Sequence, residues 1–348
     1  MGNDKAALNG DLTVSARIKH LLVVRFSALG DVAMTVPVVD SLARQHPNLR
    51  ITVVSRPFCA PLFAALPANV AFFGADVKGE YKGIGGLWKL SHRLKAMGID
   101  AMADLHDVLR TKVVRTFLRL QGIAVAVIDK GRSEKKRLVK GEHKPLRHGA
   151  ERYADVFRAL GLSCTVDYQP RHKAPEAERP CRIGLAPFAA HQGKIYPTEQ
   201  TTEFLRTLYK AHPEAEVYVF CSKGEAESVE AVWTKEFPHL VFACRQYKGL
   251  SQELQLMQQL DVMVSMDSAN MHLASIVGLP VVSVWGATHP YAGFLGYGQS
   301  EAHAVQLALP CRPCSIYGNK PCRYGDYRCL AGISPKNILK QIDHLLQA

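Results

Sequence analysis

Long apolar runs are missing from this sequence. No stretch of its 348 residues approaches the ~18 consecutive apolar residues a membrane-spanning helix needs. The first residues, MGNDKAALNGDL, also lack the hydrophobic region of a signal peptide, so the chain is expected to stay in the cytoplasm. A dinucleotide fingerprint is missing too. The glycine-rich GEYKGIGGL (Gly79 to Leu87) neither follows a strand nor has the GxGxxG spacing, and it reads as a flexible loop. Nine cysteines, an odd number scattered along the chain, argue against a disulfide framework. Five of them stand singly and read as small buried hydrophobes. Few aromatics are interleaved in the most basic stretch, which makes a base-stacking nucleic-acid surface unattractive.

The composition that remains is globular. With 47% hydrophobic and 21% charged residues the chain can bury ample core, and its length favours two domains. A net charge of +12 implies an anionic partner: nucleic acid, an anionic membrane surface or a phosphorylated substrate. Between Lys130 and Arg152 lie nine Lys or Arg residues against Glu134, Glu142 and Glu151. That run suits a solvated loop or an electropositive clamp for an anionic acceptor.

After a polar leader expected to be mobile, Ile18 to Val24 is of strand length, Arg25 to Val32 supplies a turn, and a helix follows through Val39 and Leu42 to His46. Further strands are expected at Arg50 to Ser55, Val70 to Phe73, Ala101 to Leu105 and Val125 to Ile128. Helices are expected at Leu87 to Met97, Arg110 to Leu120 and Tyr153 to Leu160. Such alternation implies an α/β, doubly wound domain. The proline-rich, charged Thr165 to Pro180 is the best linker, and a second βα series begins with Arg182 to Ala186. The expected domains are therefore residues 18–168 and 181–334, with a terminal helix in 335–348 that could pack on either.

The densest run of chemistry is Met266 to Pro290, MDSANMHLASIVGLPVVSVWGATHP. A polar cluster of Asp267, Ser268, Asn270 and His272 precedes a small-residue helix (Leu273 to Val277), a Gly-Pro break and the apolar strand Val281 to Trp285. Turns at the carboxyl ends of parallel strands form the ligand crevice of an open sheet. A helix starting after Asp267-Ser268 also offers unpaired N–H groups and a positive dipole end to an anion. This stretch reads as a phosphate site. Near the other end of the chain, Asp31 beside Gly30 suits either a helix cap or acid–base chemistry.

Five pieces together resemble the bacterial heptosyltransferases of glycosyltransferase family nine. They are the S-x-x-G-D loop (Ser27, Gly30, Asp31) followed by Pro37, the K-x-Y-P element (Lys194, Tyr196, Pro197), Glu225 after a strand, D-S-A-x-x-H-x-A-S-x-x-G-x-P-V-V-x-x-W-G-A-T-x-P from Asp267 to Pro290, and C-R-P-C with C-L-x-x-I-S-P near the end. The resemblance runs from about Ile18 onward. It implies a GT-B architecture, with two Rossmann-like domains facing a cleft, the first binding the acceptor and the second the donor nucleotide. It also implies inverting transfer of heptose from ADP-heptose to the Kdo or heptose inner core of lipopolysaccharide, with no cofactor required.

Carried over residue by residue, the resemblance makes Asp31 the general base for the acceptor hydroxyl. It makes Lys194 the cation that offsets charge on the departing ADP. Asp267 would touch sugar hydroxyls or hold its loop, and the N–H groups of Ser268, Ala269 and Asn270 would receive the diphosphate. His272 would brace the loop or touch phosphate, and Glu225 would bind the ribose hydroxyls. Gly286 and Thr288 would close the donor pocket. Ser27, Gly30, Arg56 and Arg110 are the expected acceptor contacts, facing an acidic sugar or lipid phosphate. Contact with the inner membrane would be peripheral and electrostatic, with no nucleic-acid partner. Two departures stand out. The lysine loop Pro187 to Lys194 reads PFAAHQGK, without the family's Gly and Ser or Thr, and Ala269 replaces a usual glycine, whose positive φ a side chain makes costly.

Cys311-x2-Cys314-x7-Cys322-x6-Cys329 is a set of four thiols that suits a structural zinc or free structural cysteines. Three rival functions follow from these features. One is the same chemistry with another nucleotide sugar, and a second is a nucleotide-sugar epimerase on the same fold. The third, a basic zinc-containing nucleic-acid-binding protein, leaves Asp267 to Pro290 unexplained.

Overall fold

The computed structural model describes residues 18–170 and 179–347. The leader, the stretch 171–178 of the expected linker and the final residue lie outside the described residues. The chain divides into two compact units, one comprising residues up to 130 with 149–168, the other 131–148 with 169 onward.

In the first unit five strands form one parallel sheet: β1 (His20–Val24), β2 (Arg50–Ser55), β3 (Val70–Gly74), β4 (Ala101–Asp104) and β5 (Ala124–Val127), in the order β3-β2-β1-β4-β5. The central β1, HLLVV, is buried at every residue, as a parallel strand covered on both faces should be. Leu22, Val24 and Met102 meet Leu90 and Leu94 of the helix Gly83–Ala96 and Val114 and Leu118 of the helix Leu109–Leu120.

The second unit has six parallel strands: β6 (Arg182–Ala186), β7 (Glu216–Val219), β8 (Leu240–Phe242), β9 (Val262–Met266), β10 (Val281–Trp285) and β11 (Ala304–Gln306). Their order is β11-β10-β9-β6-β7-β8, the dinucleotide-fold order when the strands are renumbered within the unit. The terminal helix Pro335–Leu346 packs here, with Ile338 and Ile342 buried in the same core as Phe204, Leu208 and Val282.

Several expected elements are corrected. The glycine-rich stretch is not a free loop, because Gly83 to Gly86 form the first turn of a helix. A Cβ on Gly86 would lie 2.4 Å from the Tyr81 carbonyl carbon, so the residue's smallness lets the entering chain close on the helix. The helix after β1 is two helices, Leu29–Ala33 and Val36–Gln45, so Asp31 lies inside the first rather than in a turn. The short strand β11 carries too little apolar signal to be read from sequence. The basic segment holds a helix, Arg132–Val139, and packs with the second unit although it precedes residue 168. Its seat there includes a hydrogen bond from Leu146 N to Tyr291 O (2.8 Å) and one between His148 Nε2 and Leu295 O (2.7 Å).

Candidate functional site

In a doubly wound sheet the chain reverses its winding between two neighbouring strands, and the crossovers leaving their carboxyl ends diverge to open a crevice. In the second unit those strands are β6 and β9. Lys194 ends a 3-10 turn (Gln192–Lys194) after β6, and Asp267 follows β9 directly. Lys194 Nζ lies 2.9 Å from Asp267 Oδ2, with both side chains largely buried. The alignment is that of a charge pair rather than a well-directed hydrogen bond, since Oδ2 has no partner of hydrogen-bond geometry.

Ser268 caps the helix Ala269–Ile276 with extended backbone, and its hydroxyl turns to Ser265 Oγ (3.3 Å) instead of to the helix N–H groups. The first-turn amides therefore have no side-chain cap. The helix starts directly after Asp267-Ser268, as expected, and so four residues before the apolar span Leu273 to Val277. Ala269 is its first residue and has no positive φ; among the described non-glycine residues only Asp107 and Tyr327 do. The strain expected from alanine in a glycine position is thus absent, because the site uses an ordinary helical start. His272 is buried on the first turn.

The lysine loop and the turn after β10 close on one another. Ala287 N donates to Gly193 O (2.8 Å), and a Cβ on Gly286 would meet Leu330 Cγ at 2.5 Å and Gly193 O at 2.6 Å. Gly318 lies against the lysine stem, where a Cβ would come within 2.7 Å of Lys194 Cγ. The Thr288 hydroxyl is fully buried without a hydrogen-bond partner. Glu225 follows β7 on the short helix Lys223–Glu227, where Oε2 accepts from Ser222 N (2.7 Å) and Ser222 Oγ accepts from Glu225 N (3.3 Å). It is half-buried and serves a capping box.

Sequence reading gave no role to Arg312, which the structure makes the strut of this region. It is 3% exposed and donates to the carbonyl oxygens of Gly286, Thr288 and Leu307 and to Gln306 Oε1. Its position inside C-R-P-C is the only signal the sequence carries, since its partners come from other loops.

In the first unit the reversal lies between β1 and β4. Asp31 is the third residue of the helix Leu29–Ala33. Its Oδ2 receives Arg25 Nη2 at 2.6 Å and Ala28 N at 3.3 Å, so it does act as a helix cap while its side chain stays one-third exposed. Arg25 also donates to Leu105 O (2.5 Å) and stacks on the Tyr153 ring (5.4 Å). Gly30 is buried in the same turn, and Ser27 Oγ lies 3.5 Å from His106 Nε2. Arg56 stands after β2, stacked on Phe58 (4.6 Å), and Arg110 is exposed on the first turn of the helix after β4. The loop after β4 is anchored by fully buried Asp104, which accepts from His106 N (3.0 Å), Asp107 N (2.9 Å) and Arg115 Nη1 (2.9 Å).

His106 is buried, and burial, helped by Arg25 and Lys130, lowers its pKa from 6.5 to about 4. Phe26 N–H donates to its Nδ1 (3.4 Å), which requires the neutral ring with its proton on Nε2. Burial and Arg312 likewise lower His289 to about 4. A histidine with a depressed folded pKa favours the folded state above its unfolded pKa and loses that contribution as pH falls towards the folded one. Urea midpoints should therefore hold steady above about pH 7 and fall between 6.5 and about 4. His106 alone contributes about 3 kcal/mol of that change. His106→Gln should flatten the slope, and an unchanged profile would remove this account.

Among the described residues no group of three or more His, Cys, Asp or Glu side chains is arranged to hold an ion. Cys314 points at Ala287 O (3.8 Å), while Cys329 packs into the core of the second unit. Cys311, Cys314 and Cys322 all lie near enough for their charges to act on Cys329, and chelation followed by metal analysis tests whether the four hold a structural zinc. The cysteine segment braces the turn after β10, with Cys314 N donating to Ala287 O (3.1 Å).

Comparison with known proteins gives the family and the fold. The family model for glycosyltransferase family 9 (heptosyltransferase) matches residues 87–325. The chain is 23% identical over 299 residues to the lipopolysaccharide core heptosyltransferase OpsX of Haemophilus influenzae, covering 78% of this chain and 80% of that protein. It is 22% identical over 365 aligned residues to lipopolysaccharide heptosyltransferase 1 of Pseudomonas aeruginosa, covering 94% and 98%. Among solved structures, the ADP-heptose LPS heptosyltransferase II of E. coli superposes with a TM-score of 0.67 at 20% identity, over 94% of this chain and 98% of that one. That likeness shows a shared fold.

Proposed function

This chain belongs to glycosyltransferase family 9, the heptosyltransferases, and from that premise we propose that it transfers heptose from ADP-heptose to the inner core of lipopolysaccharide, inverting the anomeric carbon. The observation that carries the reading is the Lys194–Asp267 pair beside an uncapped helix start at the β6/β9 crevice. A buried ammonium next to unpaired helix amides suits a sugar diphosphate, whose charge rises as the glycosidic bond breaks. The E. coli relative with the same fold takes its name from ADP-heptose, and two relatives at 22–23% identity are lipopolysaccharide heptosyltransferases.

In this scheme Asp31 removes the proton from the acceptor hydroxyl as that oxygen attacks the anomeric carbon. Arg25 and the Ala28 N–H fix the direction of its carboxylate. Lys194 and the Ala269 and Asn270 amides hold the departing diphosphate, while Asp267 orients Lys194. Glu225 has one oxygen committed to its capping box and offers the other to a ribose hydroxyl. The scheme assigns no step to a metal. No helix among the described residues is long and apolar enough to cross a membrane. Contact with the inner membrane is peripheral in this reading and runs through basic residues.

Calorimetry with ADP-heptose against ADP-, UDP- and GDP-linked hexoses tests the donor. ADP-heptose should bind most tightly, and a tighter UDP- or GDP-sugar would sink the assignment. Incubation with donor alone should leave it unepimerised.

A further inference from the structure

The second unit contains a cavity of about 440 Å³ that the proposed transfer does not use. Its walls are Val139 to Gly141 of the basic segment and two pieces of the cysteine segment, Pro310 to Cys314 and Lys320, Pro321 and Arg323. Lys140, Lys320 and Arg323 stand at it as exposed cations, none with a carboxylate partner. The neighbouring acids are already engaged: Glu142 pairs with Arg137 (3.1 Å) and Asp326 with Arg328 (2.7 Å).

A second feature points the same way. Arg312, in the cavity wall, is buried, yet all four of its acceptors are neutral oxygens. Buried charges are ordinarily compensated by an opposite charge, because withdrawing them from water is costly. Here the guanidinium is solvated by neutral oxygens and meets no carboxylate, its nearest compensating groups being the weakly acidic thiols of Cys311, Cys314 and Cys329, behind a concave surface with three more cations. Low-dielectric walls focus such a field into the cavity.

We propose that this cavity binds an anionic group, a phosphate or a sugar carboxylate, through Lys140, Lys320 and Arg323 above the buried charge of Arg312. Anion binding here does not depend on which nucleotide sugar the enzyme uses. Because Arg312 also grips the carbonyls of Gly286 and Thr288, an anion there compensates the residue that shapes the donor-side turn.

The test titrates inorganic phosphate and, separately, the acidic sugar Kdo into the full chain at constant ionic strength, with chloride as control. At least one probe should saturate one site. The triple variant Lys140→Ala/Lys320→Ala/Arg323→Ala should weaken it by about tenfold or more, with the melting temperature unchanged. Phosphate alone identifies a phosphorylated ligand, and Kdo alone a sugar acid. In the unsubstituted protein the bound probe should also slow alkylation of Cys311 and Cys314 relative to Cys221. Saturation by neither probe, or equal binding by the triple variant, overturns the proposal. Because the donor is not part of the experiment, failure here leaves the transferase reading standing, and failure of the donor panel leaves this site standing.

Discussion

Asp31→Ala lowers the transfer rate by about 10²–10⁴-fold, the usual contribution of a positioned base, and ADP still binds. The expectation separates chemistry from folding because the turn has other supports. Without the carboxylate, Arg25 keeps its bond to Leu105 O and its stacking on Tyr153, and β1 remains buried in the sheet. The side chain is one-third exposed, so its removal leaves no sealed cavity. ADP is assigned to loops of the other unit, which Asp31 does not build. Asp31→Asn sharpens the result: the amide oxygen can still accept the Ala28 N–H, but it cannot take a proton. Both variants should be inactive in single-turnover assays. Activity retained in the asparagine variant would reduce Asp31 to the helix cap it also is.

Lys194→Ala should cost about 10²–10³-fold in kcat, the scale found for removing one group that stabilises developing negative charge. It should also destabilise the fold, because Asp267, with a side chain only 5% exposed, loses its counter-charge. Breaking one side of a buried pair costs about 3–5 kcal/mol. The two effects come apart in the double variant Lys194→Ala/Asp267→Asn, which removes the orphaned charge. Its urea midpoint should return most of the way while its kcat stays low. Recovery of the rate along with the stability would mean that the lysine only neutralises Asp267.

The sheets were largely legible because buried parallel strands announce themselves: HLLVV, RIGLA and VVSVW are short, mostly apolar segments, and the structure places strands on all three. The two clusters of candidate site residues stand out in the sequence as residue types in a pattern. Asp31, Lys194 and Asp267 stand at the crevice strands where the fold reading needs them. Their partners were not legible. Arg25 reaches Leu105 across 80 residues, and Arg312 draws its four acceptors from the turn after β10 and from β11 and its exit. Such contacts depend on tertiary closure, which no local period encodes. The start at Gly83 failed for another reason, since that helix begins with residues that carry no apolar stripe, whereas the start after Asp267-Ser268 was readable from its polar turn. One local signal was readable and passed over: Ser222-x-x-Glu225 is a capping box in plain sequence.

The excursion of residues 131–148 bears on how the polypeptide is made. The first sheet is complete in sequence at Val127, yet the segment that follows pairs with Tyr291 and Leu295 and walls a cavity with Lys320 and Arg323. At bacterial elongation rates those residues leave the ribosome roughly 10–30 s later. For that interval the most cationic run of the nascent chain has emerged without its seat. The second unit is also no contiguous gene fragment. A carboxyl-terminal half expressed from residue 169 lacks the Leu146–Tyr291 bond and one wall of the cationic cavity, so splitting the protein into its units requires a rearranged reading order rather than a cut.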